Sequence, residues 1–286
     1  MIAGGYNGSQ LSTVEVLGEE GQNCKLPNLP KGISYVPSIF NHGNNIILCG
    51  GQHNENSCLR LDGQEWLHFN NLTHERTQSS AIAIKGQGSF IFGGENNKLT
   101  SEFLPLGDNK WQNGSDIDKG TYESCVVKVT DQELLIIGGT DTPYRILKYN
   151  LTSEASDNPW KELDAKLKQG RQDHACHVFN GKVIITGGRH LGESLKSTEI
   201  LDLNSMKLKK GGEMNESRYR HGMGVITWKG KPILIAFGGR LAHRNYWKSV
   251  EFWNDSTETW TFLHELNLKE PKMAFGYATI PTDMIC

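Results

Sequence analysis

Six Gly-Gly pairs, each preceded by an apolar run, limit what this chain can fold into more than any other feature. They fall at Gly4-Gly5, Gly50-Gly51, Gly93-Gly94, Gly138-Gly139, Gly187-Gly188 and Gly238-Gly239, at spacings of 46, 43, 45, 49 and 51 residues. Counting from Gly238 through Cys286 and on to Gly4 gives 52. A period that closes on the chain's own length is what a ring of equal units produces. A seventh pair, Gly211-Gly212, follows Lys209-Lys210, lacks the apolar lead-in and is set aside.

Each period carries four strand signals. In the fifth, Ala175-Cys176-His177-Val178-Phe179 runs into Asn180-Gly181, a strong two-residue hairpin signal, and then into Val183-Ile184-Ile185-Thr186 and the Gly pair. Ser197-Thr198-Glu199-Ile200-Leu201 is the third strand, echoed by Ser12-Thr13-Val14-Glu15-Val16, Thr100-Ser101-Glu102-Phe103 and Ser249-Val250-Glu251-Phe252. A weaker fourth strand lies around Met206 to Lys209, and Trp66, Trp111, Trp160 and Trp260 open it in other repeats. Cys24 and Leu208 stand where Trp is expected in repeats one and five, which predicts looser outer strands there.

Apolar run, Gly-Gly, variable loop, third strand and Trp together resemble the kelch motif, over the whole chain and six times in register. The resemblance implies an all-β, six-bladed kelch-type β-propeller spanning residues 1–286 as one domain. The 32 glycines fit a fold with many tight turns. The Gly pair is expected to turn the backbone and leave room for an indole. Met1-Ile2-Ala3 reads as a second strand and Gly276-Tyr277-Ala278-Thr279-Ile280 as a first strand. One blade is therefore shared between the termini and closes the ring, as kelch propellers commonly do.

A net charge of −2 gives no general attraction for nucleic acid or membrane surfaces. Ile233-Leu234-Ile235-Ala236-Phe237, among the longest apolar stretches, is too short to span a bilayer, and no signal peptide is visible. Among six cysteines, Cys49 and Cys58 fall on antiparallel neighbours and are the candidate disulfide, with two buried thiols as the other arrangement. Cys125 and Cys176 occupy equivalent places on consecutive first strands, where a bridge is within reach but less favoured. Cys24 and Cys286 have no evident partner. Sequons at Asn7, Asn71, Asn113, Asn150, Asn215 and Asn254 are candidate glycosylation sites, a mild excess over roughly three by chance. Cysteines and sequons together favour an extracellular or secreted setting over a cytoplasmic one.

His174-Ala175-Cys176-His177 resembles a metal site, but on a strand His177 points away from the other two, so no metal is expected. The copper ligands of galactose oxidase, which has a kelch propeller, do not map onto this chain. No nucleophile elbow, P-loop or dinucleotide fingerprint is present. The expectation is thus no enzyme and no cofactor. Candidate ligand-binding residues are Arg171 and His174 in the loop entering blade five, and Arg218, Arg220 and His221 in the loop entering blade six. Arg189, His190 and Arg240 follow the Gly pairs of those blades, with His243 and Arg244 beyond. In kelch propellers both loop classes emerge on one face, which predicts a basic patch there; the plain alternative is Arg held by neighbours such as Asp173 and Glu193. The leading reading is a monomeric binding module for a protein segment or anionic glycan. A substrate-recognition domain of a BTB- or F-box-type ubiquitin-ligase adaptor, or a propeller enzyme, are the alternatives.

Overall fold

The computed structural model describes residues 1–19, 24–152, 157–241, 245–281 and 284–285. It is a six-bladed β-propeller, all of whose named strand pairs are antiparallel. Blade five runs outward through Ala175–Phe179, Lys182–Thr186, Thr198–Asp202 and Leu208–Lys210, and blades two, three, four and six repeat the order. Blade one joins the termini. Gly276–Tyr277 pairs with Ile2–Ala3, which pairs with Val14–Glu15, in registers Ile2 to Tyr277 and Ile2 to Glu15.

The core lies between blades rather than inside them. Among the described residues six apolar clusters form, one at each blade interface. A four-stranded sheet has two apolar faces and cannot cover both alone, so each blade stacks on two neighbours and the ring leaves only short edges. The tryptophans belong to these interfaces: Trp66, Trp111, Trp160 and Trp260 are all buried. The Trp260 indole N–H donates to the Thr198 hydroxyl of the preceding blade at 3.0 Å. In blade five Leu208 takes the Trp position and is half-buried against the blade four–five cluster.

Both glycines of every pair turn the backbone at positive φ, as the sequence suggested, but the room they leave has a different cause. Their nearest neighbours include no indole. Instead, the backbone of the next blade's entry segment lies over them: Gly5, Gly51, Gly94, Gly139, Gly188 and Gly239 donate to the carbonyls of Ile33, Arg76, Thr121, Arg171, Arg218 and Lys272 at 2.7–3.0 Å. A Cβ at Gly187 would stand 2.5 Å from the Arg218 oxygen and 2.7 Å from the His221 ring, at a φ of +62° that side chains rarely adopt.

Closure carries a testable consequence. Deleting residues 276–286 removes the innermost strand of blade one and exposes the Ile2–Ala3 edge together with the apolar surface Phe275 and Tyr277 share with Phe237. We expect loss of the cooperative thermal transition followed by circular dichroism. A truncated protein that melts like the parent would mean that the ring holds without this strand.

Candidate functional site

Each blade's first strand is entered through a residue with positive φ: Tyr35, Gln78, Glu123, Asp173, Arg220 and Ala274, at φ values of 54–60°. For non-glycine residues this conformation is uncommon and costs about 1–2 kcal/mol each. What holds it is a closed circuit of backbone hydrogen bonds around the axis. Gln78 donates to Tyr35, Glu123 to Gln78, Asp173 to Glu123, Arg220 to Asp173, Ala274 to Arg220, and Val36 back to Ala274, all at 2.8–3.0 Å. Bridges such as Gln172 to Arg189 and Tyr219 to Arg240 bring the segments after the Gly pairs to this same end of the molecule. An axial cavity of about 1250 Å³ runs behind it, lined by the first strands and by Ser38, Ser79, Ser80 and Ser124.

Arg220 bolts the mouth of that cavity. From blade six its guanidinium reaches Asp173 of blade five (Nε to Oδ1, 3.0 Å), Glu123 of blade four (Nη2 to Oε1, 2.7 Å) and Gln78 of blade three (Nη2 to Oε1, 2.5 Å). It also lies 5.3 Å from the Tyr35 ring centroid of blade two. Arg189 closes the same cluster on Glu123 and Asp173. Glu123 further accepts from Thr140 and Gln172 at 2.7 and 2.6 Å. Burial opposes its ionisation, but the Thr140 hydroxyl and the two arginines outweigh it and hold Glu123 below the usual carboxylate range. Asp173 is driven the other way. Burial pushes it up to about 6 against the pull of Arg220, and Glu123 adds repulsion. Burial works against the charge on Arg220, and the two carboxylates more than restore it.

The expected basic patch is therefore not what the loops present. Arg171 and Arg218 are fully buried. Arg171 donates to Gly187 O at 2.8 Å, to Ser197 and to Glu199 at 3.0 Å. Arg218 likewise binds Gly238 O at 2.7 Å, Ser249 and Glu251 at 3.1 Å. Since each backbone carbonyl holds the preceding blade's Gly pair, each such arginine staples two blades. Arg76 with Glu102 and Lys272 with Glu15 do the same. In the other two blades both partners change: Ile33 and Thr121 stand at the cation position, Leu59 and Leu147 at the carboxylate position. The guanidinium groups of Arg171, Arg189, Arg218 and Arg220 thus answer to carboxylates within the ring, of which Asp173 was named by the plain alternative.

His174 and His221 are buried as well, over Gly138 and Gly187. Burial and the neighbouring arginines hold His174 well below its ordinary value and His221 at about 3, so both imidazoles are neutral. Of the remaining candidates, Arg189 is partly exposed yet ion-paired, and His190 contacts the Tyr144 hydroxyl at 3.2 Å. Arg240 is half-exposed, and among the described residues no carboxylate pairs with it. Its guanidinium sits 5.7 Å from the ring centroids of both Tyr219 and Tyr246. His243 and Arg244 lie outside the described residues.

Tyrosine is the component that sequence reasoning missed. Of eight, Tyr6, Tyr35, Tyr122, Tyr144, Tyr219 and Tyr246 lie on entry segments or after Gly pairs at this one end, while Tyr149 and Tyr277 lie in the strands of blades four and one. Arg189, Tyr219, Arg240, Tyr246 and Tyr6 form a continuous ladder across blades five, six and one, with the two tyrosines of its last step 6.1 Å apart edge to face. The exposed Leu99, Tyr144 and Leu191 follow the Gly pairs of blades three, four and five.

Two disulfides lie wholly among the described residues, Cys49–Cys58 across one blade and Cys125–Cys176 between first strands of adjacent blades, so the less favoured bridge also forms. Cys24 is disulfide-bonded too, whereas Cys286 lies outside the described residues. Two sequons have a structural reason to exist. Asn150 and Asn254 cap the turns after third strands, each accepting from its own sequon hydroxyl, Thr152 at 2.9 Å and Ser256 at 2.7 Å. Asp202 with Ser205 does this job in blade five. Asn7 donates to Glu270, and Asn215 to Glu251 and Trp260 O. Asn71 and Asn113 are exposed.

No three His, Cys, Asp or Glu among the described residues are grouped to hold a metal ion. No helix among them is long and apolar enough to cross a membrane. No family model matches the chain, and no curated protein matches it by sequence.

Proposed function

We propose that this chain is a protein-binding propeller of the kelch type that works outside the cell and takes its ligand on the tyrosine-rich loop face. The observation that carries the reading is the ladder Arg189–Tyr219–Arg240–Tyr246–Tyr6. Tyr and Arg are the side chains that binding surfaces concentrate: Tyr gives large contact area at low conformational cost, and Arg gives a planar set of charged donors. Arg240 donates through Nε to Leu241 O at 3.4 Å and has no carboxylate partner among the described residues, so its charge suits a ligand carboxylate or sulfate on an acidic protein segment or an anionic glycan. The disulfides are compatible with an oxidising compartment, which supports the extracellular setting over an adaptor in the cytoplasm. Glu123 and Asp173, the carboxylates at the channel mouth, are each tied to two arginines. That favours a non-catalytic role.

Panning a random-peptide library against the disulfide-intact protein tests this. Selected peptides are expected to carry acidic residues, and Arg240→Ala should weaken them about tenfold, some 1.4 kcal/mol. Tyr246→Ala should weaken them too, with the melting temperature of both variants near the parent value. Raised salt should lower affinity further. Peptides indifferent to both substitutions would place the binding surface elsewhere.

A further inference from the structure

The six sequons differ in what their side-chain amide nitrogen is doing, and an N-linked glycan replaces a hydrogen on that atom. Asn215 uses its Nδ2 twice, toward Glu251 Oε2 at 2.8 Å and Trp260 O at 3.2 Å. Its backbone N–H also binds Glu251 at 2.7 Å, so it belongs to the Arg218 staple. A sugar there would remove one of those donors beside a fully buried ion pair. Asn71 and Asn113 are the opposite case. Both are exposed, both use only Oδ1, and no described hydrogen bond engages either Nδ2. Asn71 accepts from the His68 ring at 2.9 Å and Asn113 from the Thr73 hydroxyl at 3.0 Å.

Thr73 is itself the third residue of the Asn71 sequon. The two sequons therefore meet at the seam between the outer strands of blades two and three, one reading its acceptor from the other. We infer that Asn71 and Asn113 are a paired N-glycan site on this seam and that Asn215 stays unmodified in the folded protein. The inference rests on the extracellular setting proposed above and goes beyond it by naming positions. It also has a functional corollary: glycans at blades two and three stand away from the ladder on blades five, six and one, leaving that sector open to a ligand.

The test is to secrete the full chain from a eukaryotic cell, count its free thiols, release glycans enzymatically in heavy-oxygen water and locate the label by peptide mass spectrometry. Labelled Asp is expected at positions 71 and 113 and not at 215. Asn71→Gln and Asn113→Gln should each remove the mass of one glycan. Thr73→Ala should remove the glycan at Asn71 while Thr73→Ser keeps it. A secreted chain with its disulfides formed but with Asn71 or Asn113 bare, or with label at 215, overturns the assignment. A chain that is retained in the cell with free thiols overturns the extracellular reading beneath it, and the thiol count tells the two failures apart.

Discussion

Replacing Arg218 alone with Ile is expected to destabilise the protein by about 3–5 kcal/mol, while Arg218→Ile combined with Glu251→Leu should cost less than that single change. Glu251 has no exposed surface, and Arg218 has none either. Removing the cation strands a carboxylate in a site that water does not reach, and that penalty is the main part of the loss. Removing both leaves an apolar contact of comparable size. The propeller already contains this experiment. Blade two has Ile33 and Leu59 in the two places, and the first of the two residues whose backbone N–H groups would face the missing carboxylate there is Pro30, which has none. Blade four has Thr121 and Leu147, and Arg145 is tied instead to Asp118 and the Lys119 carbonyl. The measurement is urea unfolding of both single variants and the double with disulfides intact. Strictly additive losses would mean that the two side chains act independently and would sink the staple.

How much of the molecule is legible in its sequence depends on how far apart along the chain the partners lie. The ring, its six blades and the shared first blade follow from local signals repeated in register: apolar run, Gly pair and third strand. Cys49 and Cys58, nine residues apart, fall on facing strands of one blade, so their bridge can be read. Cys125 and Cys176 are 51 residues apart on strands that do not hydrogen-bond, and only the blade packing brings them together. The arginines mislead for the same reason. Glu15, Glu102, Glu199 and Glu251 recur visibly in the third strands, as the cations do in the entry loops. Nothing local says that Arg171 folds back on Glu199, or that Arg220 crosses the axis to Gln78, 142 residues earlier. Counting cations loop by loop sees one sign of charge and places a surface where the fold builds staples and a bolt. The tyrosines are hidden differently. Each is unremarkable in its own loop, and they become a face only when six loops share one end of the ring.

Between pH 6 and pH 4 the stability curves of the parent and of Asp173→Asn are expected to diverge, by at most about 1.4 kcal/mol for each pH unit. Asp173 is pushed up to about 6 in the folded protein from an ordinary 3.8. In that window the folded chain holds a proton on Asp173 that the unfolded chain does not, so this group makes the protein more stable as pH falls. The buried histidines act in the opposite sense. His221, at about 3 when folded, and His174, well below its ordinary 6.5, stay neutral in the native ring and take up protons on unfolding. Each therefore costs stability as pH drops below about 6.5. Glu123, held below its ordinary 4.5 by Thr140, Arg220 and Arg189, stays charged in the folded ring and costs stability at the acid end of this window, in parent and variant alike. Across the cluster Asp173 offsets one of the two histidine protons in the parent. Asparagine tolerates the left-handed backbone at this position, φ 55°, and keeps an oxygen for Arg220, but it cannot bind the proton. The variant should thus lose stability faster in acid, with a gap of about 2 kcal/mol accumulated over the two units. Urea titrations at half-unit pH intervals measure it. Parallel curves from pH 7 to pH 4 would show that Asp173 titrates where an exposed aspartate does, and the mouth of the channel would then have to be open to water.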